Sequence, residues 1–392
     1  MTEYNFDDIR PFNEEEALQA IPRILDQPEL KTILDYLFGE GPHTQLIEKG
    51  KSAKSLAEFQ KVFMDVIVRK ILDNTSDGIS TSGFDLLLSG TPRLFIANHR
   101  DITLDSSILA SLLVEKNLES CEFTWGDNLL VSPFVADFGR INRMIKVYRG
   151  GKPREMLMNA RKLSAYIHQR VTMDGRSVWI AQRKGRTKDG HDQTDIGVLK
   201  MISLAGSKNL LESILKLNIT PISISYEWEP CDVRKVNEIY ISKKKEYLKA
   251  PDEDLQSIIG GIMIPKGRIH LGISHSINKK LEQEASNLKK GQILPYCTEL
   301  IDFEIHRNYH LWPNNFLAYD LLNNSSEYQA HYHEETKKRL EARMQEAVEA
   351  IGKDREEVEH LFLALYAQPL INKLKLGLPL DEPKAEEERK QD

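Results

Sequence analysis

The chain has 392 residues, 41% hydrophobic and 29% charged, which is enough to bury a sizeable core and more than one minimal domain needs. A formal net charge of -6 argues against general attraction to nucleic acid or anionic lipid. The three cysteines, Cys121, Cys231 and Cys297, lack the paired spacing of a disulfide framework or a zinc site.

The first eight residues lack the basic-then-apolar order of a signal peptide, and no apolar run approaches the roughly 20 residues that span a bilayer. A cytoplasmic chain is expected, soluble or peripheral on the inner face of a membrane. Residues 1–80 carry apolar side chains at helical spacing, first Ala17, Ile21, Ile24 and Leu25, then Phe59, Val62, Phe63, Val66, Ile67 and Ile71, which predicts an amino-terminal helical cap. From Arg93 short apolar runs alternate with helix-like segments, at 94–97, 145–148, 178–181, 222–225 and 269–273. That alternation predicts an α/β domain over 81–311, a mixed central sheet flanked by helices. After Trp312-Pro313 the sequence turns helical and charged, giving a carboxy-terminal helical extension over 312–380 and a disordered tail over 381–392. Its most apolar stretch, 361–366, either packs on the sheet domain or, with Lys373 and Lys375 nearby, touches a membrane surface.

The segment 95–109 runs from a buried strand through a polar turn, Asn98-His99-Arg100-Asp101, into an apolar helix. His99 is thereby placed at a strand end, where side chains face a cleft. Asp105 falls where the next helix should have its N-cap, and its carboxylate is positioned to hold one imidazole nitrogen while the other acts as a base. Residues 140–154 then contain six basic side chains and no acid, ending in Arg149-Gly150-Gly151-Lys152-Pro153-Arg154. A second basic cluster, Arg183-Lys184-Gly185-Arg186-Thr187-Lys188, follows the 178–181 run. Guanidinium groups bind phosphate in bidentate fashion, and glycines let backbone amides approach an anion, so two such loops at strand ends read as a phosphate site.

In this order these pieces resemble the glycerolipid acyltransferase superfamily, which includes glycerol-3-phosphate and lysophosphatidate acyltransferases. The resemblance covers about residues 90–230. Asn98-His99 with Asp105 is similar to the family's histidine-and-aspartate block, Val147-Tyr148-Arg149 to its second block, Gly185-Arg186-Thr187 to its third, and Thr220-Pro221-Ile222 to its fourth. The long helical amino-terminal portion and the Trp179-Ile180-Ala181 start of the third block look most like the soluble, plastid-type members. Two departures stand out. Five residues separate His99 from Asp105 where the family has four, so Asp105 or Asp101 is the orienter; Asp105 is favoured because it directly precedes the helix. Lys184 stands before Gly185 where the family has a glutamate.

The resemblance implies acyl transfer from an acyl thioester, with coenzyme A and acyl-carrier protein as equal candidates for the carrier, to the hydroxyl of glycerol-3-phosphate or 1-acylglycerol-3-phosphate in phospholipid synthesis. His99 would be the base, Asp105 its orienter, and Arg149, Arg186 and Arg183 the phosphate ligands. No cofactor or metal is implied: the pairs His306/His310 and His331/His333 read as surface histidines without a third ligand, and the cysteines as small core residues. Two other readings remain open, a non-catalytic binder of acyl thioesters or phospholipids on the same fold, and an acyltransferase for an amino-acid-derived lipid. The kinase-like tripeptides His99-Arg100-Asp101 and Asp137-Phe138-Gly139 lack a catalytic-loop asparagine and a glycine-rich phosphate loop.

Overall fold

The computed structural model describes residues 4–87, 91–130, 132–250 and 253–380. The expected tail, 381–392, lies outside the described residues. Seven strands form one sheet: β1 (Ile79–Ser82), β2 (Leu94–Ala97), β3 (Glu122–Gly126), β4 (Met144–Val147), β5 (Val178–Ala181), β6 (Thr220–Tyr226) and β7 (Ile269–Ile273). Their spatial order is β1-β7-β6-β2-β5-β3-β4. Every neighbouring pair is parallel except β6 and β7. This is the α/β architecture expected, a mixed sheet flanked by helices. The parallel run β6-β2-β5-β3-β4 brings the loops after residues 97, 126, 147, 181 and 226 to one edge, where ligand sites of open α/β sheets form.

Strand residues alternate between two cores because a strand repeats every two residues. Phe95, Ala97, Trp179, Ile222, Ile224 and Tyr226 join Leu30, Phe59, Phe63, Ile108 and Leu109 on one face. Leu94, Ile96, Val178 and Ile180 join Ile167, Leu199, Ile301 and Ile305 on the other. The amino-terminal helices, from Glu14–Leu25 to Asp65–Thr75, thus share their core with the sheet. Strand β1 begins at Ile79, so the cap's last two residues, 79 and 80, belong to the sheet.

Helices Pro313–Asn323, Glu334–Ile351 and Arg355–Lys375 form the carboxy-terminal extension. They pack with the helix Asp232–Lys244 around Trp228, Val236, Leu340, Phe362 and Tyr366. The apolar stretch 361–366 is consumed by that packing, with Phe362, Leu365 and Tyr366 buried, and Lys373 is buried as well. The membrane alternative for this stretch is therefore withdrawn. No described helix is long and apolar enough to cross a membrane.

Behind the sheet, the helix Ile293–Asn308 carries Asp302, which accepts the backbone N–H of Thr194 at 2.7 Å. Burial pushes the Asp302 carboxyl up to about 6. Between the unfolded value of about 4 and about 6 the native state therefore binds the extra proton, and stability falls as pH rises through that window. Asp302→Asn keeps an acceptor oxygen without the charge. It is expected to stabilise the protein by on the order of 1–2 kcal/mol above about pH 7 and by nothing near about pH 4, read from urea unfolding at both pH values.

Candidate active site

Strand β2 stops at Ala97, but Asn98 extends its pairing with a side chain. Asn98 Oδ1 accepts the Ile224 N–H at 2.8 Å, and its Nδ2 donates to the Ile224 carbonyl at 3.0 Å. This amide fixes the exit of the chain from the sheet, and His99 follows it. The His99 ring meets Trp179 edge-on at 5.8 Å, and its side chain is 12% exposed. Its Nδ1 lies 2.8 Å from Asp105 Oδ2. The same oxygen accepts the N–H groups of Arg100 at 2.7 Å and Asp101 at 3.0 Å, while Asp105 Oδ1 accepts the Tyr226 hydroxyl at 2.7 Å. Burial by itself would raise the Asp105 carboxyl, but the hydrogen bonds from His99, Tyr226 and the Asp101 backbone hold it below its ordinary value. An anion at Asp105 selects the His99 tautomer with the proton on Nδ1 and leaves the Nε2 lone pair free. Among the described residues nothing hydrogen-bonds to Nε2.

The choice between Asp105 and Asp101 as orienter is resolved by geometry. Asp101 Oδ1 accepts the N–H groups of Thr103 at 2.9 Å and Leu104 at 2.8 Å, so it serves the start of the helix Leu104–Glu115. The expected N-cap role of Asp105 is corrected accordingly: Asp105 is the second residue of that helix, and the turn 101–103 absorbs the fifth intervening residue. Burial and the neighbouring Asp105 charge push the Asp101 carboxyl up.

The loop after β5 is pinned to this block, since Gln182 N–H donates to the Ala97 carbonyl and Thr187 N–H to the His99 carbonyl, each at 2.8 Å. Within it Gly185 has φ +75, a conformation glycine adopts freely. Lys184 is exposed, and Arg183 Nη1 reaches the His191 carbonyl at 3.5 Å. Arg186 is partly buried, its Nη1 lacks a hydrogen-bond partner among the described residues, and its charge opposes the rise of the Asp101 carboxyl.

Arg149 follows β4 and lies over Gly126, with its backbone N–H donating to Asp127 Oδ1 at 3.1 Å. Burial pulls its guanidinium down from the ordinary value, with Asp254 and Asp127 opposing. Three of the other basic residues of 140–154 turn elsewhere, which corrects the reading of that run as one anion site. Arg140 stacks on Phe12, Lys146 on Tyr148, and Arg143 turns to Gln60. Pro221 is the second residue of β6, opposite Ile96, far along the strand from the end that carries Tyr226.

Sequence reasoning missed the charges beneath this block. Arg100 is fully buried and donates to Asp192 at 2.5 Å and Glu229 at 2.9 Å, above the Tyr309 ring. Lys235 Nζ donates to Glu229 at 2.5 Å and to the Arg100 carbonyl at 2.7 Å. Asp192 also receives Asn98 Nδ2 at 3.1 Å. Burial alone would lower the Arg100 pKa; Asp192 and Glu229 raise it well above its usual value.

No protein-family model and no curated protein matches the chain. Among solved structures, a 1-acyl-sn-glycerophosphate (LPA) acyltransferase, PlsC, from Thermotoga maritima is similar at 12% sequence identity, covering 72% of this chain and 92% of that one, with a TM-score of 0.39. That is a distant likeness of fold, and the account of the site rests on its own geometry.

Other sequence expectations fall differently. His306 is buried rather than superficial, and burial pushes its imidazole down to about 4. His331 stacks on Phe316 at 4.0 Å and His310 packs edge-on against Trp312 at 4.3 Å. The three cysteines are buried, and burial pushes their thiols up, away from nucleophilic reactivity. Asp137-Phe138-Gly139 lies inside the helix Pro133–Ile141, where Asp137 pairs with Arg23 at 2.6 Å.

Removing Arg100 would leave Asp192 buried without its guanidinium and Glu229 with Lys235 alone. Arg100→Met is expected to cost about 3–5 kcal/mol of stability, read from the urea midpoint. A loss under about 1 kcal/mol would mean that the buried network is not a supporting element.

Proposed function

We propose that the chain is an acyltransferase that moves a fatty acyl group from coenzyme A or acyl-carrier protein to the hydroxyl of glycerol-3-phosphate or 1-acylglycerol-3-phosphate. The observation that carries this reading is His99, held at Nδ1 by an anionic Asp105 with Nε2 free of partners among the described residues, on the same sheet edge as Arg149 and Arg186. Neither arginine forms an ion pair among the described residues. A base beside two under-used guanidiniums suits an acceptor that joins a hydroxyl to a phosphate.

In the proposed reaction Arg149 and Arg186, with Arg183 at the loop's edge, hold the phosphate and bring the hydroxyl to His99 Nε2. The imidazole takes the hydroxyl proton as the oxygen bonds to the thioester carbonyl carbon. The tetrahedral intermediate then expels the thiolate as the carbon–sulfur bond breaks, and the imidazolium returns the proton to sulfur, leaving an ester and a thiol. Asp105 stabilises the imidazolium between the two transfers. No covalent enzyme intermediate is needed, and the buried cysteines take no part. The reading places the protein in phospholipid synthesis, in the cytoplasm and in contact with a membrane surface where its lipid product partitions.

Thiol release from palmitoyl-coenzyme A or palmitoyl-carrier protein, with either phosphorylated acceptor added, tests the reading. His99→Ala is expected to lower kcat by on the order of 10²–10⁴-fold. Arg186→Ala is expected to raise KM for the acceptor more than for the donor. Thioester binding without release, with every acceptor, would replace the reading with a binding-only protein; a preference for an amino-acid-derived lipid would change the acceptor.

A further inference from the structure

The helix Pro153–Thr172 follows β4 on the sheet edge that carries His99 and Arg149. Its far end is anchored, with Leu163, Tyr166 and Ile167 buried. Its first turns stand clear of the body: every residue from Gly151 to Met158 is exposed, and Met156, Leu157 and Met158 are 49%, 46% and 60% exposed. Successive helix residues point about 100° apart, so three consecutive exposed apolar side chains make a protruding tip rather than one outward face. Scattered single apolar residues on a surface need no explanation, but a contiguous group marks an interaction surface.

The tip is also cationic. From Arg149 to Arg161 the chain carries four basic residues, Arg149, Lys152, Arg154 and Arg161, and one acid, Glu155. Glu155 is folded back onto the helix start, where it accepts the Lys152 N–H at 3.0 Å. Lys152, Arg154 and Arg161 are exposed and form no ion pair among the described residues, whereas Lys162, next in the chain, is paired with Asp8 at 2.5 Å. In a molecule whose formal net charge is -6, this leaves a local positive field beside an apolar tip.

We infer that the tip of the helix Pro153–Thr172 docks an acidic carrier protein, with Met156, Leu157 and Met158 against its apolar surface and Lys152, Arg154 and Arg161 against its carboxylates. Within the acyl-transfer reading, on which this inference rests, the donor is then acyl-carrier protein rather than coenzyme A. The composition favours a protein partner, since methionine and arginine are enriched in protein interfaces and methionine adapts its shape to what it meets. So does the shape. A nucleotide is held in a cleft, whereas a protruding tip suits a partner that brings a surface of its own. Position agrees with both: β4 lies three strand spacings, roughly 14 Å, from β2, so a thioester delivered from beyond β4 reaches His99 at the end of an extended arm.

The test compares palmitoyl-carrier protein with palmitoyl-coenzyme A as donors to the full chain, with the same phosphorylated acceptor. Arg154→Glu with Arg161→Glu is expected to raise KM for the carrier protein by on the order of 10-fold, with kcat and the KM for palmitoyl-coenzyme A unchanged. Met156→Ser with Met158→Ser is expected to act in the same direction at an unchanged melting temperature. Met173→Ser, an exposed methionine beyond the other end of the helix, is expected to do neither. Carrier-protein kinetics indifferent to the tip variants, an equal loss with both donors, use of coenzyme A alone, or tip-dependent flotation with phosphatidylglycerol vesicles in place of carrier binding would each overturn the inference. If neither donor releases thiol, the acyl-transfer reading falls, and the docking is read from binding of palmitoyl-carrier protein to the immobilised full chain. Retention by the wild type and loss by the double arginine variant would uphold it; no retention would overturn it.

Discussion

The carboxylate of Asp105 gathers four donors from two places in the chain: the His99 imidazole with the backbone N–H groups of Arg100 and Asp101, and the Tyr226 hydroxyl. A buried anion is tolerable only when its lone pairs are used, and this saturation fixes everything around it. The two backbone donors bend the chain after β2 into a turn around the oxygen. Tyr226 ties the end of β6 to the helix Leu104–Glu115, so the orienting group is braced from the sheet as well as from its own helix. His99 is left with one tautomer and one free nitrogen.

Beneath that turn lies a second constraint. Arg100 leaves the block pointing into the interior, where Asp192, Glu229 and Lys235 complete an alternating chain of four charges. Burying four charges costs more than packing aliphatic groups in the same volume, so the arrangement is better explained by position than by net stability. It fastens the loop after β5 to the His99 block through Asp192. The departure at Lys184 makes sense in this light. The loop is shaped by Asp192 and by the bond from Thr187 N–H to the His99 carbonyl, and the residue before Gly185 stands exposed with no structural task visible.

The strands that could be read from the sequence are those carried by short apolar runs, the partly exposed edge β4 among them. Leu94-Phe95-Ile96-Ala97 and Val178-Trp179-Ile180-Ala181 are continuous apolar runs, and their predicted limits match the observed ones. Strand β1, Ile-Ser-Thr-Ser, escaped notice because it is a half-exposed edge. Strand β3 escaped because it opens on Glu122, a buried carboxylate satisfied by Arg170 and Tyr166. Spacing alone brought His99 and Asp105 together, since five intervening residues span one turn. Asp192, Glu229 and Lys235 were illegible, since each meets Arg100 from about 90 or more residues away and none stands in a motif. His306 was misplaced because its sequence neighbours are polar, while one side of its helix faces the core.

The two halves of the site differ in how far their valences are used, and the difference has a mechanistic consequence. On the base side every polar atom of Asp105 is engaged, so His99 is preorganised and a ligand need not rearrange it. On the anion side Arg149 is desolvated without an ion pair and Arg186 has a buried nitrogen without a partner, both among the described residues, while Asp254, on the helix Glu253–Met263, supplies a compensating charge. A phosphate entering there would satisfy guanidiniums that the protein leaves under-used, in competition with Asp254. Binding free energy would then be released where the acceptor is held. The base, already in its working tautomer, would contribute only when the hydroxyl gives up its proton.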